Sequence, residues 1–228
     1  MEWRDEGTYS CTGRCFDIGI TTNHALSGWK KTGNLLADTV DPKLAGNGSL
    51  MRLAPVAIRF WQDRDKLRDV AARQSKTTHA AYEAVDACVA FAEMVADAIE
   101  GRPMSDVLRV RSEDYSGRIG EIMKGSWRGK QRQEIRASGY VAHTLEAALW
   151  SVGRTSDYRS AVLMAANLGE DADTTAAVAG QLAGALYGVS GIPSAWVSRV
   201  AWRQQIIEKA LPALPRSHFC SWMFLARP

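Results

Sequence analysis

Asp171, Asp173 and Thr174 place two carboxylates and a hydroxyl at i, i+2 and i+3 within the run Gly169-Glu170-Asp171-Ala172-Asp173-Thr174-Thr175. An Ala/Gly-rich apolar stretch, Ala176 to Gly188, follows and reads as a helix, so the three oxygens stand at a helix entrance. Mg²⁺ and Ca²⁺ prefer such hard oxygen donors, and Mg²⁺ takes a few of them while keeping water in its remaining positions. An ion held this way can position water or a hydroxyl-bearing substrate for hydrolysis. The same residue types also serve as caps, because a side-chain oxygen can satisfy a free N–H of the first turn and an acid suits the positive end of the helix dipole. The two roles are compatible: one carboxylate oxygen can cap while the other faces a cation.

Four other places could take part. Gly46-Asn47-Gly48-Ser49 precedes the apolar run Leu53 to Phe60. Glycines ahead of a helix let backbone N–H groups converge on an anion, although a tight turn with a serine cap needs the same residues. Asp17 lies among apolar neighbours in Phe16-Asp17-Ile18-Gly19, where a cap or an ion pair is the commoner role. His79 opens a long helical pattern, as a substrate contact or as a hydrogen-bonded structural histidine. Tyr140, at the start of another helix, could stack on a base or ribose or pack in the core. His24, His143 and His218 show no partner in the sequence. No Gly-x-Ser-x-Gly elbow, HExxH or Walker loop is present, which disfavours serine-nucleophile and P-loop chemistry.

Helices must position these groups. The apolar periodicity predicts a helix from Thr78 to Glu100, stopped by Gly101-Arg102-Pro103, and a short one capped by Ser105 through Val110. Others are expected over Tyr140–Trp150, Tyr158–Asn167 and Trp196–Ala210, with no convincing strand. The fold class is therefore all-α. Gly180, Gly184 and Gly188 recur every fourth residue and predict a stripe on which a neighbouring helix packs closely. The basic stretch from Lys124 to Arg136 reads as a solvated loop. The 228 residues fit one large domain, taken as 1–228, and 46% hydrophobic residues with eight Trp permit a sizeable core. A net charge of +3 gives no argument for nucleic acid or a membrane surface, and the first ten residues lack the apolar core of a signal peptide. Cys11, Cys15, Cys88 and Cys220 do not complete a zinc pattern and read as reduced thiols of a cytoplasmic protein.

Taken together the segments resemble the ADP-ribosylglycohydrolase family, which includes dinitrogenase reductase-activating glycohydrolase. The matching pieces are FDIG at 16–19, GNGSLMRLAPVAI at 46–58, S-x-x-TH at 75–79, SGYVAHTLEAALW at 138–150 and NLGEDADTTAAVAGQLAGALYG at 167–188. They run in order over about residues 9–210, and the tail at 213–228 is atypical. The resemblance implies an all-α domain with a dinuclear Mg²⁺ centre, Mn²⁺ being an alternative. It implies hydrolysis of the bond joining ADP-ribose to a protein side chain or small acceptor. Asp171, Asp173 and Thr174 then stand as metal ligands and Asp17 as a catalytically important carboxylate near the scissile bond. Gly46, Asn47, Gly48 and Ser49 form the diphosphate turn, and His79 and Tyr140 contact substrate. The partner is an ADP-ribosylated protein or ADP-ribose derivative, with neither nucleic acid nor membrane. The acceptor stays open among arginine, serine, another side chain and an O-acyl group. The family pattern also includes a Thr-Asp-Asp-Thr segment ahead of FDIG, and no Thr-Asp-Asp precedes Asp17. The expectation is a truncated chain with about half the metal ligands, weak Mg²⁺ binding and no detectable turnover. The alternative is an inactive relative that binds ADP-ribose-like ligands or is structural.

Overall fold

The computed structural model describes residues 1–37 and 40–210. Its centre is set by a helix that is apolar nearly all round. In Tyr82–Ile99 (α4, the α1–α3 helices preceding it below) almost every residue from Ala84 to Ala98 is buried, including Cys88 and Phe91. A helix without a polar face must be covered on all sides. Ala54–Phe60 (α2), Arg64–Lys76 (α3), Val141–Gly153 (α7) and Ala172–Tyr187 (α9) cover it. Leu67, Leu145, Leu149 and Leu182 meet Phe91 in one continuous core.

Two helix starts follow simple capping chemistry. Asp63 Oδ1 accepts from the Lys66 amide at 3.0 Å ahead of α3. Asp157 Oδ1 accepts from the Ser160 amide at 2.8 Å ahead of Tyr158–Ala166 (α8). The remaining helices are Ile20–Thr32 (α1), Met104–Val107 (α5), Gly117–Met123 (α6), Ser194–Val197 (α10) and Arg203–Ala210 (α11). No helix among the described residues is long and apolar enough to cross a membrane.

Several sequence expectations change in detail. The helix predicted from Thr78 begins at Tyr82: Ala81 is extended (ψ 135°), and the His79 amide turns back to the Ser75 carbonyl at 2.7 Å. His79 therefore sits in the α3–α4 turn. Ser105 is not a cap, since α5 starts at Met104 with Pro103 before it. The stretch from Trp196 to Ala210 is two helices, separated by a region in which Trp202 has φ 56°. The glycine stripe does meet a neighbour. A methyl on Gly180 would lie 3.3 Å from the Tyr158 hydroxyl and one on Gly184 3.8 Å from its ring, so α8 packs there. Gly188 (φ 70°) instead terminates α9. The Lys124–Arg136 stretch is a set of clamps. Trp127 is buried, Lys130 holds buried Glu146 at 2.6 Å, and Arg132 donates to the Leu168 carbonyl at 2.6 Å. The tail at 213–228, with Cys220 and His218, lies outside the described residues.

Candidate active site

The acidic motif is presented by the end of α8 and the start of α9. Gly169 (φ 78°) and Glu170 (φ 53°) are both left-handed and turn the chain sharply between the two helices. Asp171 takes the N-cap position of α9 yet makes no side-chain capping bond. Its backbone N–H donates to the Ala137 carbonyl at 2.9 Å, tying the motif to the loop before α7. Its Oδ2 accepts from Asn47 Nδ2 at 2.7 Å. That amide also donates to Thr144 Oγ1 at 2.8 Å. One side chain of the Gly46–Ser49 turn thus uses both its N–H donors to join α7 and the acidic motif, 124 residues away. Asp173 is exposed, with one oxygen accepting from the Thr174 amide at 2.9 Å, and Thr174 Oγ1 touches Met51 Sδ at 3.8 Å.

The turn itself is fixed by non-local pairing. Gly46 and Tyr140 form an isolated antiparallel bridge, with the Asn47 amide donating to Gly139 O at 3.0 Å and the Val141 amide to Ala45 O at 2.9 Å. The Gly46 amide donates to Leu44 O at 2.8 Å. Two of the four amides expected to cradle an anion are therefore committed. Those of Gly48 and Ser49 make no hydrogen bond among the described residues. Ser49 is wholly buried, its Oγ meeting Ser75 Oγ at 2.9 Å and Cys88 Sγ at 3.4 Å, so of the two unbonded amides the Gly48 N–H, on a half-exposed residue, is the one a ligand can meet.

His79 packs against the turn. A methyl on Gly48 would come within 2.8 Å of its Cε1, which is why the position admits only glycine without movement. Burial, with the nearby Arg52 charge, pulls its pKa down to about 4, so the ring is neutral at pH 7. Tyr140 directs its hydroxyl onto Glu83 Oε2, and burial together with that carboxylate raises its pKa. His143, for which the sequence offered no partner, meets Ser138 Oγ at 2.7 Å and Arg118 at 3.1 Å and stacks edge-on to Tyr140 at 5.0 Å. Sequence reasoning missed Thr144, Glu83 and Arg118. Thr144 lies inside the 138–150 motif and Glu83 four residues beyond His79, while Arg118 lies far from every motif and carried no signal.

Asp17 is exposed, left-handed (φ 50°) and free of hydrogen bonds and ion pairs among the described residues. It leads into α1, whose Thr22 Oγ1 lies 3.6 Å from where a methyl on Gly48 would sit. The structure thus brings together Asn47, Gly48, His79, Thr22 and Asp171, while no contact ties Asp17 to Asn47 or Asp171. A cavity of about 530 Å³ lies elsewhere, lined by Met104, Leu108, Trp127, Trp150 and Arg154 and by none of the candidate residues.

The donor chemistry of Asp171, Asp173 and Thr174 fits a hard divalent cation. All three are oxygen donors on one helical turn, and one oxygen of each carboxylate accepts no hydrogen bond. Among the described residues no group of three or more His, Cys, Asp or Glu side chains gathers to hold a metal.

Comparison with known proteins identifies what the chain is similar to. The sequence model of the ADP-ribosylglycohydrolase family matches residues 1–219. The chain is 44% identical over 217 residues to ADP-ribosylarginine hydrolase Tri1 of Pseudomonas putida (strain GB-1), covering 95% of this chain and 58% of that protein. It is 30% identical over 187 residues to the ADP-ribosyl-[dinitrogen reductase] glycohydrolase of Rhodospirillum rubrum, covering 82% of this chain and 61% of that one. A solved structure described as an ADP-ribosylglycohydrolase-related protein complex superposes with a TM-score of 0.78 at 36% identity, over 86% of this chain and 68% of that one. The chain spans less than two thirds of the length of these two curated relatives.

Proposed function

The chain belongs to the ADP-ribosylglycohydrolase family, and from that premise we propose that its site serves hydrolysis of the glycosidic bond between ADP-ribose and a protein side chain, arginine first among acceptors. The observation that supports the reading is the Asn47 side-chain amide bonded to Asp171 at 2.7 Å, which sets the Gly46–Ser49 turn beside the acidic motif. ADP-ribose needs both: donors for its diphosphate and a group that orders the ribose next to the scissile bond. The choice of arginine rests on the name of the Pseudomonas relative.

In this reading the Gly48 amide binds the diphosphate. Asp171, Asp173 and Thr174 would hold Mg²⁺, or Mn²⁺, which takes the same ligands. When bound, the ion supplies Lewis acidity and orientation for ribose hydroxyls and water. Asp17 orients the attacking water and takes its proton, while His79 and Tyr140 border the ligand. The water oxygen bonds to the anomeric carbon, the bond from that carbon to the acceptor nitrogen breaks, and a proton passes to the leaving nitrogen. The substrate is an ADP-ribosylated protein. We assign the work to the cytoplasm, consistent with free thiols at Cys11, Cys15 and Cys88.

Among the described residues no third acid, histidine or cysteine joins Asp171 and Asp173, which favours a second reading, binding of ADP-ribose without turnover. One comparison separates the two. The purified chain, alone and fused to a segment carrying Thr-Asp-Asp-Thr, is incubated with Mg²⁺ and arginine- or serine-modified protein, and released ADP-ribose is measured. Release from the arginine substrate by the fusion, with little from the unfused chain, supports hydrolysis at an incompletely supplied metal site. No release by either, with ADP-ribose still bound, would establish the binding reading and overturn the enzymatic one.

A further inference from the structure

His79 is held from behind by a two-residue relay. Arg52 is anchored on the α3 end by bonds from Nε to Gln74 Oε1 at 3.2 Å and from Nη2 to the Gln74 carbonyl at 3.0 Å. The same Nη2 donates to Thr78 Oγ1 at 2.7 Å, and Thr78 Oγ1 lies 2.7 Å from His79 Nδ1. Arginine has donors only, so the Thr78 oxygen must accept from it. The hydroxyl carries one hydrogen, and Nδ1 is the acceptor within reach. Were Nδ1 protonated, the Thr78 oxygen would accept twice and its own hydrogen would be left unpaired in a buried place, which is costly. Thr78 is 7% and His79 3% exposed, so water cannot readily relieve the misfit. The hydrogen therefore resides on Nε2. That atom faces the turn: a methyl on Gly48 would lie 3.1 Å from it and one on Gly46 3.3 Å.

We propose that Arg52 and Thr78 are positioning residues that fix His79 in its Nε2–H form, so that the ring offers a neutral hydrogen-bond donor to the diphosphate at the Gly46–Ser49 turn. This deepens the functional reading above and rests on it for the ligand. The lock itself is a property of the unliganded chain. A donor of fixed direction adds to the free Gly48 amide without placing a second cation beside Arg52, and loss of such a neutral bond weakens binding by about tenfold.

Long-range ¹H–¹⁵N correlation spectra of histidine-labelled chain distinguish the two neutral tautomers. The unliganded wild type at pH 7 should show His79 as Nε2–H. Arg52→Met frees the Thr78 oxygen to accept, so a substantial Nδ1–H population should appear. Thr78→Val should give a mixture, and Thr78→Ser should restore the wild-type pattern. ADP-ribose affinity by calorimetry should fall about tenfold in Arg52→Met and Thr78→Val and recover in Thr78→Ser. Arg52 is solvent-exposed, so its variant serves if Thr78→Val does not fold. A wild-type Nδ1–H tautomer, or unchanged tautomer and affinity in Arg52→Met, would overturn the proposal. Absence of ADP-ribose binding by wild type with the Nε2–H form intact would overturn the ligand role and the functional reading together, while leaving the lock visible as a separate fact.

Discussion

Asp97 and Asp171 are both acids that the fold could not leave alone, and they are treated in opposite ways. Asp97, 3% exposed on α4, is saturated with cations: Arg64 donates to Oδ1 at 3.0 Å, and Arg109 and Arg111 to Oδ2 at 2.7 and 2.6 Å. Burial alone would push its carboxyl up, and the bonds from Arg109 and Arg111 more than reverse this, leaving it below the usual carboxylate range. Asp171 is half-buried and is steadied by a neutral amide on one oxygen only. A carboxylate that must staple helices is surrounded by guanidinium groups. One that must receive a cation or substrate cannot be, because a resident arginine would occupy its lone pairs and repel the ion. The number and charge of an acid's partners, together with its burial, distinguish the stapled Asp97 from the open Asp171.

The comparison can be broken most easily at Asp97. Asp97→Ala strips a buried acid from Arg111 and should cost about 3–5 kcal/mol in urea denaturation, while ADP-ribose affinity of the folded chain stays unchanged. A loss below about 1 kcal/mol would show that the cluster is ornamental. The next largest effect is expected in acid. His79 has a folded pKa of about 4 against 6.5 unfolded, so the unfolded chain binds the extra proton between these values. Stability is complete above pH 6.5 and should fall by roughly 3 kcal/mol on the way to pH 4. His143, whose pKa is also lowered, by burial and then by Arg118, adds in the same direction. Denaturation midpoints of His79→Gln should be markedly flatter across that window; an unchanged slope would place the titrating group elsewhere.

Asp171→Ala should be a smaller stability event, about 1–2 kcal/mol from the partly orphaned Asn47 amide, with Mg²⁺ binding abolished in calorimetry. Mg²⁺ binding that survives this substitution would remove Asp171 from the ligand set. Least of all should follow from Arg136→Ala. Arg136 meets Glu170 at 3.2 Å beside the site, but both are exposed and screened by water, and the denaturation midpoint should not move. A measurable shift would mean that ion pairs on this face do more than the surface rule allows.

The helical skeleton was legible because α4, α7 and α9 bury continuous apolar faces. Helix α1 was not, since it buries no residue and shows no apolar stripe. Helix α3 is charge-rich and hides its buried set in Leu67, Ala71 and Ser75, a four-residue spacing that could have been found. The site was legible in its pieces. Its assembly was not, because the Gly46–Tyr140 bridge and the Asn47–Asp171 bond join residues about a hundred apart. The Ser49 side chain could have pointed either way on local grounds; the core polar group formed by Ser75 and Cys88 decides it.

The most direct test of the account is an ADP-ribose titration of ¹⁵N-labelled chain followed by backbone amide shifts. The Gly48 amide, unbonded on a half-exposed residue, should move strongly and saturate. The Asn47 backbone amide, already bonded to Gly139 at 3.0 Å, should move far less. A Gly48 resonance that stays in place at saturating ADP-ribose would contradict the claim that this turn, beside Asp171, is where the ligand's diphosphate binds.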